Sequence, residues 1–288
     1  MTFRVCSALA VLLFAAYSFA DEATRAYRIG NSLTWDSQPK AIEALAAQHG
    51  EKHTQAYHIN CGKSLERIWT HPEEICVNAV EPFGTFGHAL PNYEWQAITF
   101  QPHPGADSTL ASDTARVLDL IGKSREAGKN RAAVFYIYAP WPGQKLGAFH
   151  EVWTQETADA DDTKTIQTRA YFAHLLRRVR DKTDADVRLI PAGHVVAELD
   201  RRMREGQIAG YASAADLYRD VVHLNHVGRF AAGVTTYATI FRRNPAGMTC
   251  PANQYGGGQD FSPELYGQIH SAVWKVIQSM PEETGVPN

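Results

Sequence analysis

The stretch Ile29-Gly30-Asn31-Ser32-Leu33-Thr34-Trp35-Asp36 decides how the beginning of the chain folds. A β-like run over residues 25–29 breaks at a glycine, and a helical pattern begins at the serine. A serine here is a common helix N-cap. In a parallel α/β sheet it would also stand at the carboxyl end of a strand, where catalytic groups gather. The stretch alone leaves both interpretations of Ser32 open.

Short apolar runs alternate with amphipathic segments along the rest of the chain. The predicted strands cover residues 25–29, 53–60, 96–100, 132–138 and 187–190. The predicted helices cover residues 39–50, 108–128, 163–182, 194–204, 228–242 and 263–280, and we assign no regular structure to 70–95 or 244–261. Strands alternating with helices predict an α/β fold with a five-stranded parallel sheet and helices on both faces.

The first twenty residues have the composition of an export signal. Arg4 gives a short positive region, residues 5–16 are nearly all apolar, and Ser18-Phe19-Ala20 is a small-x-small cleavage site. We therefore expect a signal peptide over 1–20, a single domain over 21–288 and export to a periplasm or the outside, with no membrane attachment after cleavage. An uncleaved N-terminal anchor is the alternative.

Charge and cysteine content limit the classes of partner, disulfide and metal site that we expect. The formal net charge is −3 and Lys and Arg form no cluster, so nucleic acid is not an expected partner. Beyond the signal, Cys61, Cys76 and Cys250 allow one disulfide, whose pairing stays open. The most local pairing, Cys61 with Cys76, would be worth on the order of 3 kcal/mol. No Cys/His spacing suggests a zinc site, and we expect no metal or cofactor.

A serine nucleophile needs a base, and the base needs a group that orients it. Among the 12 histidines, His223 has an acidic neighbour three residues earlier, Asp220. Within one helical turn such positions lie about 5–6 Å apart, so the carboxylate could reach Nδ1 and leave Nε2 for Ser32. A surface aspartate beside a half-buried histidine, or a metal pair of His223 with His226, are the other interpretations.

Acyl transfer also needs hydrogen-bond donors for the developing oxyanion. The candidates are the backbone N–H groups of Ser32 and Gly62 and the side-chain amide of Gln101, which follow three predicted strands and so share one rim of the sheet. Three further side chains are expected near this rim as weaker substrate-binding candidates: Trp35, His103 and Trp141. Aromatic rings with polar neighbours suit sugars, and they suit core packing equally well.

Taken together, these segments resemble the SGNH/GDSL hydrolases. Gly30-Asn31-Ser32-Leu33-Thr34 is similar to the first block of that family, Gly62 to the second, and Asp220-Val221-Val222-His223-Leu224-Asn225 to the last. The resemblance implies a flavodoxin-like three-layer α/β/α sandwich and a serine esterase or lipase mechanism. It implies that Ser32 is the nucleophile, His223 the base and Asp220 the orienting acid, with Ser32 and Gly62 as oxyanion donors.

The third block of the family departs from this pattern. Where the family has Gly-x-Asn-Asp, this chain has Thr99-Phe100-Gln101-Pro102, so Gln101 would have to replace the usual asparagine donor. The function we expect is an exported esterase that removes O-acyl or O-acetyl groups from carbohydrate, and its expected partner is a small-molecule or glycan ester substrate. A lipase or thioesterase of the same family is a second possibility. A non-catalytic carbohydrate-binding or interaction protein on the same fold is the alternative class. The oligomeric state stays open.

Overall fold

The computed structural model describes residues 23–126, 128–255 and 261–287. The signal peptide expected over residues 1–20 lies outside these ranges, as does part of the 244–261 segment. Over the same ranges, none of the helices combines the length and apolarity that crossing a bilayer requires.

The five predicted strands form one parallel sheet in the order β2-β1-β3-β4-β5. Their bounds are β1 Thr24–Gly30, β2 His53–Ile59, β3 Ala97–Phe100, β4 Val134–Tyr138 and β5 Val187–Ile190. The chain leaves β1 in one direction for β2 and returns on its other side for β3, so a topological switch point lies between β1 and β3. Ligand sites of open α/β sheets are found at such points.

Helices cover both faces of the sheet, which confirms the predicted three-layer α/β/α arrangement with a flavodoxin-like strand order. One layer contains α2, α8, α9 and α10, and the other contains α3, α4, α5 and α7. The helices are α1 Ser32–Asp36, α2 Pro39–Gln48, α3 Leu65–Thr70, α4 Phe86–Asn92, α5 Leu110–Arg125, α6 Phe149–Trp153, α7 Arg169–Arg180, α8 Ala192–Arg204, α9 His226–Phe241, α10 Pro263–Gln278 and α11 Pro281–Thr284.

The helices depart from the prediction most clearly before α7 and at α4. The helix predicted from residue 163 begins at Arg169, because Thr168 caps it through the Tyr171 N–H and the preceding residues pair with the start of α5 instead. Helix α4 lies within the stretch that was given no regular structure. It is short and contains Pro91, but its apolar side chains are buried in the core, and this packing stabilises it.

The strand register aligns the ends that carry the candidate residues. Ile29 pairs with Phe100, and the Gln101 N–H donates to the Ile29 carbonyl at 2.9 Å. On the other side of β1, the Asn60 N–H donates to the Gly30 carbonyl at 2.9 Å. The segments that follow β1, β2 and β3 therefore start at the same level, at the switch point.

Candidate active site

The turn between β1 and α1 presents Ser32 at the rim. Asn31, not Ser32, is the N-cap of α1, since its Oδ1 accepts the Leu33 N–H at 2.9 Å. Ser32 is the first residue of the helix, and its hydroxyl is not used for capping. A Cβ at Gly30 would lie 2.2 Å from Thr34 Oγ1 and 2.8 Å from Gln101 Cβ, so this position has no room for a side chain.

The structure brings Ser32, His223 and Asp220 together. Ser32 Oγ lies 2.9 Å from His223 Nε2, although the two residues are 191 positions apart in the chain. On the other side of the ring, Nδ1 lies 2.9 Å from Asp220 Oδ2 and 3.1 Å from Oδ1. With a neutral ring, Nδ1–H donates to the carboxylate and Nε2 accepts from the serine hydroxyl. This is the geometry of a serine–histidine–aspartate triad.

Asp220 stays ionised because of its own loop. Its Oδ1 accepts the N–H groups of Val222 and His223 at 2.9 and 2.8 Å. Burial works to raise the pKa of Asp220, but these two hydrogen bonds and the contact with the His223 ring prevail and lower it to about 2. The carboxylate is therefore charged at neutral pH, as an orienting group must be.

The backbone N–H groups of Ser32 and Gly62, both at this rim, have no acceptor among the described residues. Gly62 has a φ of +66°, a left-handed conformation that favours glycine. The two segments are joined because Asn31 Nδ2 donates to the Lys63 carbonyl at 3.1 Å. A disulfide between Cys61 and Cys76 fixes the same loop, so the most local of the possible pairings is the one formed.

Gln101 is completely buried, and its amide oxygen binds the turn that holds Ser32. Oε1 accepts the N–H groups of Asn31 and Thr34 at 3.0 and 3.2 Å and the Thr34 hydroxyl at 3.0 Å. Because three donors converge on this atom, it must be the oxygen of the amide. Nε2 donates to the Pro102 carbonyl at 3.0 Å, which leaves at most one of its hydrogens for an oxyanion.

The three weaker candidates differ in what they can contact. Trp141 is completely buried and donates from Nε1 to the Val222 carbonyl at 2.8 Å, so it supports the loop that holds His223 and has no face for a sugar. Trp35 is partly exposed and packs edge-on against Tyr57, with ring centroids 5.2 Å apart. Of the two tryptophans, only Trp35 has a surface that a ligand can reach.

His103 is half-buried and lies close enough to His223 for the charge on one ring to affect the pKa of the other. Its Nδ1 lies 3.3 Å from Gln167 Nε2, which is a donor, so a neutral ring carries its proton on Nε2. Burial, followed by the charge that His223 can carry, lowers the pKa of His103 to about 4. His103 is therefore a neutral hydrogen-bond donor at physiological pH.

Asp36, the last residue of α1, also contacts the loop that holds His223, although no sequence motif pointed to it. Its side chain is 1% exposed and accepts the Leu224 N–H at 2.9 Å and Arg219 Nη1 at 3.1 Å. Arg229 Nε lies 3.4 Å from the same carboxylate. The available signal was its position, four residues after Ser32 on a short helix, since such residues share a face.

Comparisons with known proteins bear on the fold. No protein-family model matches the chain, and a search of curated proteins found no significant match. Among solved structures, the chain is similar to a DUF4886 family protein from Bacteroides uniformis, with a TM-score of 0.62 and 18% sequence identity over 89% of this chain and 95% of that one. A likeness at this identity shows a shared fold and carries no activity with it.

Proposed function

We propose that this protein is a serine esterase that hydrolyses carboxylic esters through Ser32, His223 and Asp220. The observation that carries the proposal is the unbroken chain of contacts from Ser32 Oγ to His223 Nε2, at 2.9 Å, and from His223 Nδ1 to Asp220 Oδ2, at 2.9 Å. A general base within hydrogen-bond reach of a serine, itself oriented by a carboxylate, is the arrangement that acyl transfer uses.

The proposed reaction has two halves. Ser32 Oγ attacks the ester carbonyl carbon while His223 Nε2 takes its proton, and the carbonyl oxygen becomes an oxyanion. The tetrahedral intermediate collapses to an acyl-serine, and the leaving alkoxide takes the proton back from His223. A water then attacks the acyl-serine by the same route and releases the carboxylic acid.

The N–H groups of Ser32 and Gly62 are the proposed oxyanion donors. Both lack a protein acceptor among the described residues, and Ser32 stands at the positive end of α1. The third expected donor, Gln101, would have to contribute its second Nε2 hydrogen. His103 Nε2–H is the other neutral donor available at this rim for the substrate.

For the substrate, we propose an O-acyl or O-acetyl group on a small molecule or glycan. The support on the acceptor side is the accessible ring of Trp35 together with the neutral donor of His103. The disulfide supports the proposed export, because disulfides persist in oxidising compartments. The family proposed from the sequence, SGNH/GDSL, is consistent with this chemistry.

The decisive experiment uses a fluorophosphonate probe and p-nitrophenyl acetate on the protein purified without residues 1–20. We expect covalent labelling at Ser32 and turnover in the wild type. Ser32→Ala should remove labelling, and both Ser32→Ala and His223→Ala should lower kcat by at least about 10³-fold. Thr34→Val, in the same turn but outside the triad, is the matched control and should be labelled.

The outcomes separate the alternatives. Turnover that survives Ser32→Ala would refute the nucleophile assignment, whereas an unlabelled wild type that binds oligosaccharides would favour a non-catalytic binding protein. A comparison of acetylated glycans, longer p-nitrophenyl esters and acyl thioesters then distinguishes a carbohydrate esterase from a lipase or thioesterase.

A further inference from the structure

We infer that Asp36 is a positioning residue for the proposed triad, because it ties the helix that carries the nucleophile to the loop that carries the base. This inference rests on the proposed function. Asp36 does not touch Ser32 or the reacting atoms, and it would act through the relative placement of Ser32 and His223.

The first support is the position of Asp36 on α1. Ser32 begins this helix and Asp36 ends it, so the two are related by the i, i+4 spacing that puts side chains on one face. Both side chains contact the same loop, residues 219–224. Ser32 meets His223 there, and Asp36 meets Leu224, the next residue, through its backbone N–H.

The second support is that Arg219 extends the contact to the other end of the loop. Its Nη1 donates to Asp36 Oδ1 at 3.1 Å and to the Leu224 carbonyl at 2.9 Å. The Arg219 N–H donates to the His223 carbonyl at 2.9 Å. His223 therefore lies in a loop whose two ends are joined to each other and to α1.

The third support is the difference in exposure between the two carboxylates. The Asp220 side chain is 45% exposed, whereas that of Asp36 is 1% exposed. Other contacts to the loop come from the segment after β4. Trp141 Nε1 donates to the Val222 carbonyl at 2.8 Å, and the Gln144 N–H donates to the Val221 carbonyl at 2.8 Å. Of these contacts, only those of Asp36 join the loop to α1, the helix that begins with Ser32.

The test is Asp36→Asn, which keeps an oxygen for the Leu224 N–H but removes the charge that holds Arg219. We expect kcat for p-nitrophenyl acetate to fall at least about tenfold with KM within about twofold, because small displacements of reacting groups are costly. The low-field NMR signal of the His223 Nδ1 proton, visible when that proton is held by Asp220, should broaden or vanish.

Glu198→Gln is the matched control. Glu198 is a 10% exposed carboxylate on α8 that binds Arg202 at 2.8 Å, Arg201 at 2.9 Å and Lys275 at 3.1 Å, away from α1 and the loop. Its loss should lower Tm as a buried charge pair does. It should leave kcat and the low-field signal unchanged, which separates positioning from general stability.

A second variant covers the case in which Asp36→Asn does not fold. Arg219→Gln changes a side chain that is 42% exposed, so we expect this variant to fold. We expect its kcat to fall several-fold and its low-field NMR signal to broaden. A folded variant of either kind with wild-type kcat and an unchanged signal would overturn the inference. A wild type without turnover would instead count against the proposed function, and the NMR signal would still decide the role of Asp36.

Discussion

Gln101 illustrates how one residue can be recognised from the sequence while its contacts are not. Its position at the end of β3 follows from the strand pattern, and the family resemblance gives that position a donor role. The structure uses the amide oxygen of Gln101 as an acceptor for the turn that holds Ser32. The direction of a buried amide is decided by its three-dimensional neighbours, so no sequence pattern encodes it.

Gln101→Ala should lower the free energy of unfolding by about 3 kcal/mol. The substitution leaves two buried N–H groups and one hydroxyl without their acceptor, and each such loss costs about 1–3 kcal/mol before relaxation. Urea unfolding measures the change. Thr34→Val, which removes only the hydroxyl donor, should cost about 1 kcal/mol. Equal stability of Gln101→Ala and wild type would contradict the bracing role and leave the donor role as the better account.

At the scale of elements, the segment after β2 carries a candidate donor on a loop that a disulfide closes. Cys61 and Cys76 are both exposed, and the Cys61 N–H lies next to Cys76 Sγ. Cys76 in turn donates its N–H to the Ile59 carbonyl at the end of β2. Gly62 is therefore held between the strand and the disulfide, and its N–H direction depends on both.

Reduction of this disulfide should weaken both the fold and the proposed activity. We expect a loss on the order of 3 kcal/mol in the free energy of unfolding, from the entropy of the released loop. We also expect kcat to fall about tenfold, since an oxyanion donor that is absent altogether costs about 10²–10³. The measurement is turnover and urea unfolding with and without a phosphine reductant.

Two variants make that prediction specific. Cys61→Ala/Cys76→Ala should have the properties of the reduced wild type and give no further response to reductant. Cys250→Ala should respond to reductant as the wild type does. Unchanged turnover of the fully reduced wild type, verified by thiol counting, would show that the strand end alone positions Gly62.

For the molecule as a whole, buried neutral histidines link stability to pH. His53 is 5% exposed at the start of β2, and its Nδ1 lies 2.7 Å from the Thr24 carbonyl. Burial, together with the charge of Arg28, lowers its pKa from 6.5 to about 4 in the folded state. Between those two values the unfolded chain binds a proton that the folded chain does not. His53 therefore contributes stability above pH 6.5 that is lost as the pH falls towards 4.

His53→Asn should flatten the pH dependence of unfolding in this window. The Asn amide can replace the Nδ1 donor, but it does not titrate. The slope of the free energy of unfolding between pH 6.5 and 4 should decrease by up to about 1.4 kcal/mol per pH unit. Urea unfolding at several pH values measures the slope, and at pH 7.5 and above the two proteins should differ by a constant amount. An unchanged slope would mean that His53 titrates alike in both states.

The architecture was predictable to a greater degree than the contacts at the site. All five strands were predicted. The signal was strongest for β4, an apolar run typical of a parallel strand buried on both faces, and weakest for β2, whose residues only alternate. The pairing of Ser32 with His223 was predicted from the i, i+3 spacing of Asp220 and the strand ends. The buried connection through Asp36, and the use of Trp141 as a support, depend on how α1 and the 219–224 loop meet in space. Local sequence patterns carry no sign of that contact.

The wide separation of Ser32 and His223 along the chain has a consequence for folding studies. A chain that has assembled only β1, β2 and β3 already has the serine turn but lacks the proposed base, because the 219–224 loop follows β5 and α8 in the sequence. Covalent titration of Ser32 would thus count molecules in which the 219–224 loop has reached Ser32, and it would not count molecules that are merely compact. Followed during refolding, its stoichiometry would report when the 219–224 loop reaches α1, independently of any spectroscopic probe.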